Sequence, residues 1–153
     1  MLQITVPKTE IFNENTNQFL WIPETTIQME HSLVSLSKWE EKHHKAYLDP
    51  KLQHSATEIL DYFKCMTITK NVKDSVFLAL SQRNIEEISS YINDPMTATT
   101  FNEMVTTKKH NSKFITSEYL YFCMFSLGVP IECEKWHLNR LMTLLKIFEE
   151  ENK

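Results

Sequence analysis

Apolar and polar positions alternate with period two at the start of the chain. Leu2, Ile4 and Val6 share one side and Gln3 and Thr5 the other, the pattern of a half-buried strand. Ile11 and Phe12, the run Asn13-Glu-Asn-Thr-Asn-Gln18, and then Phe19-Leu20-Trp21-Ile22 predict a hairpin. Its tip is built with asparagine, which tolerates the left-handed region and bonds its own backbone. Pro23 ends the second strand or lies at its edge, and Thr25 to Glu30 alternate again with Ile27 and Met29 on one face. Residues 1–30 therefore predict a small antiparallel sheet of three or four short strands.

From Ser32 the period lengthens. Ser32 can cap a helix carrying Leu33, Val34 and Leu36, which Asp49-Pro50 stops. Ser55-Ala-Thr-Glu58 is a capping box, and the helix behind it presents Ile59, Leu60, Phe63 and Met66. Asp74 can cap a short helix through Val76, Phe77 and Leu80. Asn84-Ile-Glu-Glu87 can cap another, with Ile85, Ile88, Tyr91 and Ile92 inward, before Asp94-Pro95 ends it. Residues 97–113 are threonine-rich and without period, a long loop of the functional or mobile kind. A helix from Thr116 or Ser117 to Leu127 is apolar on nearly all sides, which predicts a central position. Gly128 falls just past its end, where a left-handed residue is needed, and Pro130 starts the last helix, to about Glu150, with Leu138, Leu141, Met142, Leu145 and Phe148 as its stripe. The expected fold is α+β, one domain over residues 1–153: a β subdomain at 1–30, then a helical body of five to six helices at 31–153.

Composition narrows the function classes. Gly128 is the only glycine among 153 residues, where average usage would give about eleven. No glycine-dependent phosphate cradle can be built, so Rossmann, Walker A and kinase-type nucleotide sites are excluded. The net charge is −4, and of 16 basic residues only Arg83 and Arg140 are arginine. Arginine carries most base and bidentate phosphate contacts, so nucleic acid is not the expected partner. The three cysteines, Cys65, Cys123 and Cys133, contain no CxxC and read as reduced thiols. The longest near-apolar run is too short to span a bilayer and the N-terminus lacks a signal-type apolar region, so the expectation is a soluble, intracellular protein with no membrane partner.

Candidate chemistry is sparse. Glu-x-x-His occurs at Glu40/His43, Glu41/His44 and Glu134/His137. Two such pairs on facing helices, with single glutamates such as Glu58, Glu87 or Glu118 from two others, would make a di-iron carboxylate site. The phase is wrong, because Glu40 to His44 form one polar run, which reads as a solvated face. Neither a metal nor a cofactor is expected. Cys133 lies where a helix N-terminus could lower its pKa, but Glu132 and Glu134 flank it, and an inert buried thiol is the better reading. Lys108, Lys109, His110 and Lys113 form a basic cluster in the loop that reads as solvated surface. Trp39 and Trp136 both sit among charged residues, the setting of interface tryptophans or of rings leaning over the edge of the core. On one face, Trp39, Trp136, His137 and Arg140 would form a protein-binding patch.

Four stretches, MEHSLVSLSKWE (29–40), KCMTI (64–68), DPMTATTF (94–101) and CEKWHLNRL (133–141), resemble a family of small tail-module proteins of tailed bacteriophages, the tail assembly chaperone-like proteins. The likeness runs from about residue 2 to residue 148. It implies a non-enzymatic chaperone in the host cytoplasm. Such a protein binds the long apolar tape measure protein, recruits tail tube protein, forms homo-oligomers in some cases and is absent from the mature virion. The alternatives are a structural tail or head–tail connector component, or the metal-carboxylate enzyme above. Relatives often continue into a basic, arginine-rich tail, whereas this chain stops at Glu149-Glu-Glu-Asn-Lys153; a longer frameshifted product could supply that tail.

Overall fold

The computed structural model describes residues 1–100 and 116–152. Four strands come first: β1 (Leu2–Val6), β2 (Thr9–Asn13), β3 (Gln18–Ile22) and β4 (Thr25–Met29). The fold is α+β, with the expected small antiparallel sheet of four short strands, laid out as two two-stranded ladders along one long hairpin. β1 pairs with β4 and β2 with β3, both antiparallel, and paired residue numbers add to 31 throughout: Leu2 with Met29, Thr9 with Ile22, Asn13 with Gln18. Pro7 and Pro23 lie in the two gaps, where each lacks the N–H a ladder needs. The tip turns at Glu14 to Asn17, with Asn13 Oδ1 accepting from Asn15 N–H at 3.0 Å and Asn17 left-handed at φ 54.

The inner half of this ribbon is core. Ile4, Val6, Ile27 and Met29 are buried, and both edges are covered. On the β4 side Gln28 C=O accepts from Ile68 N–H at 2.7 Å, and Met66 C=O accepts from Glu30 N–H at 2.9 Å. On the β1 side the Asn84 amide donates to Thr5 C=O at 3.1 Å. The outer half stands in solvent, every residue from Phe12 to Trp21 being exposed.

The helical body is α1 (Leu33–His43), α2 (Ala56–Met66), α3 (Asp74–Leu78), α4 (Gln82–Asn93), α5 (Ser117–Leu127), a 3-10 turn (Ile131–Lys135) and α6 (Leu138–Glu151). Their sequences set their ends. Ser32 and Ser55 cap α1 and α2 in capping boxes. α4 is capped by Ser81, three residues ahead of the expected Asn84. Asn84 instead closes the box from the third helical position, its Oδ1 accepting from Ser81 N–H at 3.0 Å. Asp74 is the first residue of α3 rather than its cap. α1 stops at His43 instead of running to Asp49, because His44 turns left-handed (φ 55) and the chain doubles back to lay Tyr47 on Tyr62, ring centroids 4.0 Å apart. Gly128 takes the expected left-handed conformation (φ 73), and Val129 N–H closes back on Met124 C=O at 2.9 Å, a Schellman-type end.

Two expectations fail at the C-terminal end. Pro130 does not begin the last helix. It precedes the 3-10 turn, and α6 starts at Leu138 with His137 as its cap. The break has a cause: Trp136 is extended, and Leu138 N–H donates to His31 C=O at 2.7 Å. Second, α5 is not central. Leu120 and Met124 are buried, but Tyr119, Phe122 and Phe125 face solvent.

The core is threaded by a run of rings. His54 stacks on Tyr47, Tyr47 on Tyr62, and Tyr62 meets His31; His31 then meets His137, and His137 meets Tyr91, with centroid separations of 4.0–5.7 Å. This run joins α2, the β4–α1 corner, the start of α6 and the end of α4. Among the described residues no helix is long and apolar enough to cross a membrane.

Candidate functional site

The structure separates the four residues expected to share a patch. Trp39 is 0% exposed. Its indole N–H donates to Glu58 C=O at 2.9 Å, and its ring stacks on His43 at 4.5 Å. It belongs to the α1–α2 packing and to no surface; its charged sequence neighbours simply point elsewhere on the helix. Trp136 and Arg140 do meet. Trp136 is 36% exposed, and the Arg140 guanidinium carbon lies 4.9 Å from its ring centroid, a cation–π contact. His137 is buried beneath them and works as a support. Its Nε2 bonds to Tyr91 C=O at 2.7 Å, and its Nδ1 accepts from Asn139 N–H at 3.2 Å, which fixes the ring's orientation with a proton on Nε2.

Trp136 and Arg140 line a groove of about 350 Å³ between α6 and residues 96–99, whose other walls include Met96, Thr143, Leu144 and Ile147. The 94–99 segment is fastened there by Asn139, whose amide donates to both Ile92 C=O and Asp94 C=O at 2.9 Å. Asp94 Oδ1 accepts from Met96 N–H at 2.9 Å and holds Met96 left-handed at φ 54. DPMTATTF and KWHLNRL thus meet across one groove, as far as Thr100; the rest of the 97–113 loop, with Lys108, Lys109, His110 and Lys113, lies outside the described residues.

A second surface went unforeseen. On α5, Tyr119, Phe122 and Phe125 are spaced three apart and so lie along one side; Phe122 is 63% and Phe125 64% exposed. Ile131 in the next turn is exposed as well. The ribbon's outer half adds Phe12 against Phe19, centroids 5.1 Å apart, and Trp21 under the Lys8 ammonium at 5.3 Å. Apolar groups in clusters of this kind mark interaction sites on soluble proteins, whereas single ones do not.

The Glu-x-x-His pairs are split among other partners. Glu40 is half-buried rather than solvated: its Oε1 accepts from Ser117 N–H at 2.8 Å and from Ser117 Oγ–H at 2.7 Å, which ties α1 to the first turn of α5. Its Oε2 is buried without a partner among the described residues, at the edge of a cleft of about 590 Å³ that Glu41, His44, Lys45 and Glu118 also line. His43 turns to Asp61, at 3.1 Å, and Asp61 also takes Lys42 at 3.0 Å. Burial opposes ionisation of Asp61, but these bonds and the nearby Lys64 charge hold its carboxyl below the usual range. Glu134 accepts from Tyr121 O–H at 2.7 Å. Glu58 serves the α2 cap and Lys45, and Glu87 pairs with Arg83. Among the described residues no group of three or more His, Cys, Asp or Glu is placed to hold a metal ion. The three cysteines are free thiols. Burial raises the pKa of Cys65 and Cys123, and Cys133 is buried in the 3-10 turn.

No protein-family model, no curated protein and no solved structure matches the chain.

Proposed function

We propose that this protein is a tail assembly chaperone of a tailed bacteriophage, acting by binding rather than by catalysis. Its partner is the tape measure protein, whose apolar helical segments it keeps soluble in the host cytoplasm until tail tube protein polymerises. Two things support the reading. Two of the stretches that carry the resemblance, DPMTATTF and CEKWHLNRL, line the Trp136–Arg140 groove, and a third, MEHSLVSLSKWE, supplies the buried side of α1. The observation that carries it furthest is the outer side of α5: Phe122 and Phe125 are exposed on a helix whose buried side is already packed by Leu120 and Met124. Rings this exposed, whose ring contacts among the described residues are with Tyr119 and Tyr121 of their own helix, are suited to cover an apolar partner helix.

Co-expression with the tape measure protein of the same phage tests this. Soluble tape measure protein should rise and co-purify with the chain, and the double variant Phe122→Ser/Phe125→Ser should abolish the gain. An unchanged soluble yield with no co-purification would sink the proposal. Mass spectrometry of purified particles adds an independent check: a stoichiometric virion component would replace the chaperone reading by a structural one.

A further inference from the structure

The groove beside α6 holds a single charge. Arg140 lies over Trp136, and among the described residues no carboxylate pairs with it. The other arginine, Arg83, is paired with Glu87 at 3.1 Å. The Trp136 ring lies against the guanidinium, whose N–H donors can hold a carboxylate in bidentate fashion. The rest of the described wall is uncharged: Met96, Ala98, Leu144 and Ile147 are apolar, and Thr97, Thr99 and Thr143 carry hydroxyls. One cation in an otherwise uncharged, partly apolar wall is complementary to one carboxylate within an apolar stretch.

We infer that this groove binds an amphipathic helix of a partner protein through a glutamate side chain. Arg140 takes the carboxylate, and Trp136, Leu144 and Ile147 receive the apolar residues one turn to either side of it. Trp136 pre-orients Arg140, so less side-chain freedom is lost on binding. The inference rests on the chaperone reading for the nature of the partner and adds the chemistry of the segment it selects.

The probe is a blocked, helix-forming peptide of about 18 residues with a leucine stripe and one central glutamate, beside versions with glutamine or lysine at that position. Binding to the full chain is followed by fluorescence anisotropy. The glutamate peptide should bind about tenfold tighter than the glutamine one, and the lysine peptide more weakly still. Arg140→Gln should erase the preference without changing the thermal midpoint, and Arg140→Lys should restore part of it. Equal binding of the three peptides, a preference that survives Arg140→Gln, or no binding of any peptide overturns the inference. Equal binding that is lost in Phe122→Ser/Phe125→Ser would end this inference and leave the chaperone reading standing. Failure of tape measure co-expression with the glutamate preference intact would do the reverse.

Discussion

His31 and His137 meet edge-on inside the core, ring centroids 5.3 Å apart, and both are buried. His31 Nδ1 is hydrogen-bonded to the Tyr62 hydroxyl, its backbone C=O accepts from Leu138 N–H, and its backbone N–H donates to Glu30 Oε1. Burial, and secondarily the His137 ring, lower the His31 pKa from 6.5 to about 4. The unfolded chain therefore binds a proton between these values that the folded chain refuses. Stability is fully present above about pH 6.5 and falls as the pH drops towards 4, by roughly 3 kcal/mol if this group acts alone. Urea midpoints at pH 7.5 and 4.5 should differ accordingly, and His31→Gln should flatten the difference. A midpoint in the native chain that does not move between these pH values would contradict the assignment.

Gly128 provides a test of backbone strain free of packing. A Cβ added there meets nothing within 4 Å, but φ is +73°. Gly128→Ala should cost about 1 kcal/mol and Gly128→Val more, because β-branched residues resist the left-handed region. Gly128→Asn should fall below both. Thermal melts of the three variants check the order.

The two sides of α5 should respond in opposite ways. Phe122→Ser and Phe125→Ser should each change folding stability by no more than about 0.5 kcal/mol, as exposed sites do. Met124→Ala, at a buried position one residue away, should cost about 2–5 kcal/mol. Denaturant curves on purified variants decide this. A large loss in Phe122→Ser would mean that the ring supports the fold itself.

Glu40 and Ser117 are the polar tie between α1 and α5, through bonds of 2.7 and 2.8 Å to one carboxylate oxygen. Glu40→Ala should cost about 2 kcal/mol, since bonds to a charged group are among the stronger ones. Ser117→Ala should cost less, because the backbone N–H still donates. A double-mutant cycle should return a coupling energy of at least about 0.5 kcal/mol.

Several local signals in the sequence held, whereas the caps expected at Asp74 and Asn84 lie one and three residues earlier, at Lys73 and Ser81. The asparagine tip, the Ser32 and Ser55 caps and the left-handed Gly128 all depend on residues within one turn of each other. Pro130 misled because its fixed φ suits the start of a 3-10 turn as well as that of an α-helix, and the true start is decided by a bond to His31 about a hundred residues earlier. α5 misled for a different reason. Apolar residues all round a helix describe a surface that wants covering, and a partner can cover it as well as the same chain. The tryptophans divide on helix phase alone: Trp39 shares the inward side with Leu36, while Trp136 lies in an extended link. The ring run from His54 to Tyr91 was invisible because each of its contacts joins different elements.

The other left-handed residues are Asn17, His44, Asn71 and Met96, so a chain with one glycine still turns left five times among the described residues. His44 is exposed and touches the fold mainly through its backbone. Replacing it by glycine should raise the thermal midpoint by a few degrees, through relief of about 1 kcal/mol of local strain.

The register shared by the ribbon's two ladders has a consequence for how its length can change. Since Thr9 to Asn13 pair with Gln18 to Ile22 in the same frame as the inner strands, one residue removed from each strand shortens the arm and keeps every remaining partner opposite its mate. One residue removed from a single strand slips every pair from there to the tip out of register. Related chains should therefore vary this arm by matched, two-sided steps, and the stretch between Pro7 and Pro23 is the natural place to graft a loop or a tag without disturbing the body.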